Sequence, residues 1–359
     1  MISPKNYILI VVIGLIIGAI YFINSRSASR DGSGTAETVI PRPTSDSSMA
    51  KMQLYELAKE ITTPDGFINT DSKPLTIGEF VGKRVVLIDF WTYSCINCQR
   101  TIPYLNAWYE KYKDKGLVII GIHTPEFEFE KDYDNVRTAV EKFGIKFPVV
   151  LDNDYSTWTA YKNQYWPRKY LIDIEGFVVY DHIGEGAYEE TEKKIQETLS
   201  ERMSILGESG EINQTVTKEV SVLGGSRSPE IYFGASRNKL FGNGLAGVVG
   251  DQKGLIVPAQ INPNTLYLSG DWNITEEFSE NKSNQAKIVF RYQARNVYFV
   301  AGSENGTKIK IIKDGKLISE QTVKEHTLYQ IIQNPELGEH MLEIIIENPG
   351  LRAFTFTFG

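Results

Sequence analysis

The chain has 359 residues, of which 42% are hydrophobic and 23% are charged. This composition supplies enough apolar side chains for packed cores and excludes wholesale disorder. The formal net charge of −7 argues against nucleic acid as the main partner, because phosphate binding requires a basic face. The length exceeds that of one ordinary domain and fits two domains with an additional segment.

Residues 1–24 are predicted to form a transmembrane signal anchor. The run 7–23 contains no charged residue, and as a helix it would span about 25 Å, close to the ~30 Å core of a bilayer. It is longer than the apolar core of a typical signal peptide, which favours an uncleaved anchor over a cleaved signal.

The positive charges around this run bear on its orientation in the membrane. Arg26, Arg30 and Arg42 follow it, and taken alone they favour a cytoplasmic location for the rest of the chain. We nevertheless expect export, because a bulky body behind an early apolar segment is typical of a signal anchor. Residues 25–51 are rich in Ser, Thr, Gly and Ala and are predicted to be a flexible linker.

Residues 52–200 alternate between strand and helix patterns. The run 85–90 is continuously apolar apart from Asp89, as expected of a strand that is buried on both faces. Such alternation predicts an α/β fold with a partly parallel sheet. Further elements are predicted as strands at 117–122, 147–151, 170–174 and 177–182, and as helices from Cys95, around 136–143 and at 187–199.

Residues 201–229 are predicted to be a polar connector, and residues 230–359 an antiparallel β-sandwich. Asp314-Gly315 is a hairpin turn signal. The alternation of phenylalanine and threonine over residues 354–358 predicts a half-buried strand.

Three aromatic residues of the predicted β-sandwich could bind a glycan. Trp272, Tyr292 and Tyr298 have rings of the kind that stack on sugars. Aromatic residues in a sandwich more often belong to the core, so a glycan contact is a secondary hypothesis.

Cys95 and Cys98 are the two cysteines of the chain and form a CxxC pair. The pair follows a predicted strand and opens a predicted helix, where free N–H groups favour a thiolate. The second cysteine, one turn later, can resolve a mixed disulfide. A zinc site would need further ligands, and a c-type haem would need a histidine where Gln99 stands. A structural disulfide or two inert core thiols remain as alternatives.

The segment 89–98, DFWTYSCINC, resembles the active-site segment of thioredoxin-like proteins. It is most similar to TlpA/redoxin-type thiol–disulfide oxidoreductases and to the soluble part of DipZ-type proteins. The stretches HTPEFEFEKDYDNV, LDNDYSTWTAY and YWPRKYLIDIEG carry the same resemblance, which covers most of residues 52–200. The resemblance implies a thioredoxin-like fold followed by a C-terminal jelly-roll domain similar to carbohydrate-binding modules.

The resemblance also implies roles for individual residues. Asp89 takes the place of the buried carboxylate that accepts a proton from the resolving thiol, and burial would raise its pKa. Trp91 matches the aromatic residue beside the active site and would, with Pro167, shape the surface that docks the substrate. Pro103 matches the proline within the active-site helix. Trp166 and Pro167 occupy the cis-proline position, which lies against the cysteines and presents backbone to the substrate.

An acidic pair just beyond the predicted strand 117–122 is a further candidate. TlpA-type proteins can place an acid near the active site in this region, so Glu126, and with it Glu128, could assist proton transfer. A solvated acidic loop is the alternative. The chain departs from thioredoxin in the Ile96-Asn97 dipeptide, and in the bulky Trp166, which we expect to narrow substrate choice.

We therefore expect a membrane-anchored thiol–disulfide oxidoreductase at the cell membrane, with its soluble domains in the periplasm or on the cell surface. Cys95 would attack a disulfide in a protein substrate and Cys98 would resolve the mixed disulfide. The resemblance favours reduction, without a cofactor. Because the polytopic relay domain of full DipZ proteins is not recognised in the sequence, we expect electrons from a separate membrane donor of the CcdA type.

Two other functions remain open at this point. The chain could be a glycan- or partner-binding protein in which the redox domain is auxiliary. It could also be a thiol peroxidase, since peroxiredoxins share the fold and Thr92 has the expected spacing to Cys95. Against the peroxidase, Ile88 stands where that family has a proline.

Overall fold

The computed structural model describes residues 46–71, 73–218 and 226–359. The predicted anchor at 1–24 and residues 25–45 of the predicted linker lie outside the described residues. In the part that is described, no helix combines the length and the apolar character needed to cross a membrane.

The last residues of the predicted linker are helical, which corrects the expectation of a flexible segment. Asp46–Lys51 forms helix α1. The ammonium group of Lys51 fixes this helix to the first domain, because it binds the carboxylates of Asp173, Glu175 and Glu201 at 2.6 to 2.7 Å.

The first domain is a six-stranded mixed sheet flanked by helices. The strand order is β1-β4-β3-β2-β5-β6, in which β2, β3 and β4 run parallel and the other pairs are antiparallel. The α/β fold with a partly parallel sheet is therefore confirmed. The strands are β1 Gly66–Ile68, β2 Val85–Trp91, β3 Leu117–His123, β4 Val149–Leu151, β5 Arg168–Ile172 and β6 Val178–Ile183, and the helices are α2 Ile96–Tyr112, α3 Tyr133–Lys142, α4 Ser156–Ala160 and α5 Tyr188–Leu206. Helix α5 runs six residues past the domain boundary expected at residue 200.

Strand β2 is central, and all seven of its residues are buried. Val86, Ile88 and Phe90 belong to the core on one face of the sheet, and Leu87 and Trp91 to the core on the other face. Because side chains alternate along a strand, Asp89 points to the same face as Leu87 and Trp91. That second core also contains Cys98.

The C-terminal domain is all-β, as predicted. Its strands follow the order β13-β12-β14-β11-β15-β10-β9-β8, with β7 paired to β15. The long strand β11 pairs with β9 through its first half and with β15 through its second half, and bulges separate the two parts. The strands are β7 Ile231–Tyr232, β8 Gly250–Leu255, β9 Leu266–Ile274, β10 Ser279–Asn281, β11 Ala286–Gly302, β12 Thr307–Lys313, β13 Lys316–Val323, β14 Thr327–Ile346 and β15 Arg352–Phe358.

Two features of this domain were predicted from sequence patterns, a turn at Asp314-Gly315 and a half-buried strand at 354–358. The Asp314-Gly315 turn joins β12 to β13, and both residues have positive φ (51° and 75°), as a turn of this type requires. The prediction of a half-buried strand at 354–358 is wrong, because Thr355 and Thr357 are also buried. These threonines line a cleft against the first domain.

The two domains share an apolar cluster. Phe127, in the loop after β3, packs against Phe354 with ring centroids 5.1 Å apart. Phe129 approaches the same ring at 4.8 Å, and Val300 completes the cluster. The loop that follows β3 therefore carries the C-terminal domain close to the end of β2, where the cysteines lie.

Candidate active site

The CxxC pair lies where β2 ends and α2 begins, as predicted. Cys95 is the N-cap residue of α2, and its sulfur accepts a hydrogen bond from the backbone N–H of Cys98 at 3.3 Å. Both cysteines are free thiols; Cys95 is partly exposed and Cys98 is buried. Of the two thiols, Cys95 is therefore the one that is accessible to an incoming disulfide.

The buried thiol of Cys98 resists ionisation. Burial raises its pKa well above the usual value, and the neighbouring Cys95 sulfur and the charge of Asp89 raise it further. A group that accepts its proton is therefore needed before Cys98 can attack.

Asp89 is the candidate for that group. It is buried on the cysteine side of β2, and burial raises the pKa of its carboxyl to about 7. One carboxylate oxygen, Oδ1, has no hydrogen-bond partner among the described residues. An unsatisfied buried carboxylate of this pKa can take a proton from a thiol near neutral pH.

Sequence reasoning missed Lys169, which lies opposite Asp89 in the β2–β5 register. Its ammonium nitrogen is 3.9 Å from the Asp89 carboxylate, and its side chain is completely buried. Burial lowers the pKa of Lys169, while its charge lowers the pKa of Asp89. A lysine within RKYLID resembles an exposed strand-end residue, so the sequence carried no signal for this pair.

The Trp166–Pro167 peptide bond is cis, as the resemblance implied. The carbonyl oxygen of Trp166 lies 3.9 Å from the sulfur of Cys95. The indole N–H of Trp166 donates to the carbonyl of Thr124, and its ring packs 4.3 Å from Trp158. Trp166 is half-buried and lines the cleft that contains Cys95.

Trp91 does not shape the docking surface, which corrects the expectation. Its side chain is 1% exposed. It packs edge-on against His123 at 5.1 Å, and a Cβ at Gly121 would lie 2.9 Å from its indole nitrogen. Trp91 is a core residue beneath the cysteines.

Glu126 lies in the cleft with Cys95 but faces the C-terminal domain. Its carboxylate binds Arg237 at 2.7 Å and lies 3.0 Å from the hydroxyl of Tyr232. Glu128 is exposed and pairs with Lys131. None of these contacts of Glu126 or Glu128 involves a cysteine sulfur, so proton transfer by Glu126 stays a prediction.

Glu130 is the buried acid of this loop, and the sequence did not single it out. Its carboxylate accepts hydrogen bonds from the backbone N–H and hydroxyl of Ser94 and from the backbone N–H groups of Glu126 and Phe127. Burial raises its pKa to about 7 against the effect of these bonds. Glu130 therefore joins the residue before Cys95 to the loop that contacts the C-terminal domain.

Other candidate groups lie outside this chemistry. Thr92 is buried, and its hydroxyl lies 3.4 Å from a ring nitrogen of His123. Trp272, Tyr292 and Tyr298 are all buried in the C-terminal domain and offer no platform for a sugar. Within the described ranges, one group of acidic residues could hold a metal ion, and the Lys51 ammonium occupies it: Asp173, Glu175 and Glu201.

The fold and this cysteine pair define a thioredoxin-like protein. Residues 56–199 match the Redoxin family, and residues 228–359 match the family described as thioredoxin-like C-terminal domain. The chain is 33% identical over 142 residues to the thiol–disulfide oxidoreductase ResA of Bacillus thuringiensis, covering 40% of this chain and 76% of ResA. The chain therefore belongs to the thiol–disulfide oxidoreductases of the thioredoxin-like family.

A longer relative covers both domains. The chain is 37% identical over 311 residues to Protein DipZ of Mycobacterium tuberculosis, which covers 86% of this chain and 44% of DipZ. The chain thus spans less than half of the length of this relative. Among solved structures, the thioredoxin domain of a thiol–disulfide oxidoreductase from Bacteroides vulgatus is 27% identical with a TM-score of 0.33, over 39% of this chain and 95% of that one.

Proposed function

We propose that the chain is a membrane-anchored, extracytoplasmic reductase of protein disulfides. The observation that carries the proposal is the arrangement of a partly exposed Cys95 above a buried Cys98, with Asp89 on the same face. Cys95 attacks the substrate disulfide, Asp89 takes the proton of Cys98, and Cys98 then displaces the reduced substrate.

The reductive direction is supported by the resemblance to DipZ-type proteins. Strongly oxidising dithiols have a reduced form that is stabilised, as in DsbA, so the reduction potential of the cysteine pair tests this direction.

The membrane location and the electron donor rest on the sequence alone. The apolar run 7–23 supports an anchor, and the resemblance to DipZ-type proteins supports export and a separate membrane donor of the CcdA type. The catalytic residues proposed are Cys95, Cys98 and Asp89, and the proposed substrate contacts are Trp166 and Pro167. The C-terminal domain is proposed to be a jelly-roll sandwich that lies beside the active site.

The test is reduction of insulin and of a neutral peptide disulfide, with dithiothreitol to regenerate the enzyme. Turnover by the wild type is expected, with none by Cys95→Ser and with an accumulating mixed disulfide in Cys98→Ser. A reduction potential near that of thioredoxin, about −270 mV, would support a reductase. A potential near −120 mV, as in DsbA, would make the chain an oxidase, and an inactive wild type would overturn the proposal.

A further inference from the structure

The cleft that contains Cys95 is built by both domains. Cys95, Ile96 and Trp166 line one side, and Tyr232 and Thr357 of the C-terminal domain line the other. Its volume is about 440 Å³, which falls in the range of sites that enclose a drug-sized ligand. A short extended segment around a disulfide fits this space, whereas the broad face of a folded protein does not.

The charges of the cleft are unbalanced. Among the residues that the structure describes, three charged side chains line it: Glu126, Glu230 and Arg237. Arg237 binds Glu126 at 2.7 Å, so these two charges compensate one another. Arg237 also stacks on the Tyr232 ring, 3.8 Å from its centroid, which keeps it on the wall of the cleft.

Glu230 is the third charged residue of the cleft. Glu230 is exposed as a residue, and its carboxylate accepts a hydrogen bond from the hydroxyl of Tyr232 at 2.9 Å. Desolvation and the neighbouring Glu126 charge raise the pKa of this carboxyl. The ion pair at the cleft joins Arg237 to Glu126 and not to Glu230. When both carboxylates are ionised, the wall opposite Cys95 therefore carries one net negative charge.

We infer, resting on the proposed function, that this cleft takes disulfides in short extended segments that carry a lysine or arginine next to the cysteine. The cationic side chain pairs with Glu230 while the neighbouring sulfur meets Cys95. Glu230 acts on substrate choice and takes no part in the chemistry.

Two exchange steps at the cleft oxidise the cysteine pair and reduce the substrate disulfide. The Cys95 thiolate attacks one sulfur of the substrate disulfide, forms a mixed disulfide and expels the other sulfur as a thiolate. Cys98, after losing its proton to Asp89, attacks the Cys95 sulfur and expels the second substrate thiolate. The enzyme loses two electrons as its own disulfide forms, and the substrate gains both.

The test uses two peptide disulfides that differ only in the residues flanking cysteine, lysine in one and glutamate in the other. The ratio of their kcat/KM values is measured for the full chain. We expect a preference of about five-fold for the lysine peptide, as a partly exposed ion pair of roughly 1 kcal/mol gives. Glu230→Gln should abolish most of this preference, and 1 M salt should reduce it.

Two further variants sharpen the test. Arg237→Gln leaves Glu126 uncompensated, so the preference for the lysine peptide should increase. Glu336→Gln, which neutralises an exposed carboxylate outside the cleft, should leave the ratio unchanged. A wild type that turns over both peptides equally, or a preference that survives in Glu230→Gln, overturns this inference and leaves the proposed function intact. Failure to reduce either peptide or insulin overturns both.

Discussion

The carboxylate of Asp89 and the ammonium of Lys169 lie 3.9 Å apart with both side chains almost completely buried. Their separation exceeds hydrogen-bond distance, and the Asp89 Oδ1 atom has no hydrogen-bond partner among the described residues. A buried charge that is imperfectly paired costs stability. The pair therefore destabilises the fold, and its carboxylate is the group that we propose as the proton acceptor for Cys98.

Asp89→Asn is expected to stabilise the fold above neutral pH. The folded-state pKa of Asp89, about 7, is higher than the ordinary value of 3.8. The folded protein thus binds this proton more tightly than the unfolded chain does, and the wild type loses stability as the pH rises from about 4 to about 7. The variant avoids this loss, so its advantage should grow over the same interval to a few kcal/mol at about pH 8.

Guanidinium unfolding at pH 4.5 and pH 8 measures this effect. Asp71→Asn, at an exposed aspartate, is the matched control and should show no pH-dependent gain. An Asp89→Asn stability increment that is the same at both pH values would contradict the raised pKa.

Lys169→Met is expected to raise the pH at which the resolving step reaches half of its maximal rate. The lysine charge lowers the pKa of Asp89 against the larger effect of burial, so its removal should shift the pKa of Asp89 above about 7. The decay of the mixed disulfide, followed by stopped-flow fluorescence, should then reach its half-maximal rate at a higher pH than in the wild type. Lys146→Met, at an exposed lysine, should keep the wild-type midpoint. An unchanged midpoint in Lys169→Met would show that the lysine does not act on this carboxylate.

The sequence predicted the parts of the site that depend on local order along the chain. Cys95 at a helix start, the cis Trp166–Pro167 bond and a buried Asp89 all follow from motifs that resemble a known active site. Lys169 could not be predicted, because its contact with Asp89 depends on the register between β2 and β5. Because β2 and β5 are separate strands that pair antiparallel, no fixed spacing in the sequence links Lys169 to the motif that contains Asp89.

Packing within and between the domains limited the prediction in the same way. Trp91 was expected at the surface because the motif places an aromatic residue there, yet its side chain is covered from the side of His123 and Gly121. Thr355 and Thr357 follow a strand alternation that normally marks a solvent-facing side. They are buried because another domain covers that face, which periodicity within one strand cannot reveal.

Glu130→Ala is expected to destabilise the protein by about 3 kcal/mol, because it leaves several buried donors without an acceptor. These donors include the Ser94 hydroxyl, which lies 2.6 Å from the carboxylate. Since Ser94 precedes Cys95, the attack on a peptide disulfide should also slow. Glu130→Gln, which keeps one carbonyl acceptor, should retain more of both properties. Equal stability of the Ala and Gln variants would indicate that the hydrogen bonds contribute little.

Phe354→Ala is expected to weaken the contact between the two domains. The ring packs within about 5 Å of both Phe127 and Phe129, and removal of a buried phenylalanine side chain costs about 3–5 kcal/mol. Because the same loop holds Glu126 against Arg237, the wall of the cleft opposite Cys95 should become mobile. Limited proteolysis should then cut the chain between the domains faster than in the wild type, and the KM for peptide disulfides should rise more than kcat falls. Leu317→Ala, at an exposed residue of β13, is the control and should leave proteolysis and KM unchanged. If Phe354→Ala loses stability while KM stays at the wild-type value, the C-terminal domain supports the fold but does not form the substrate site.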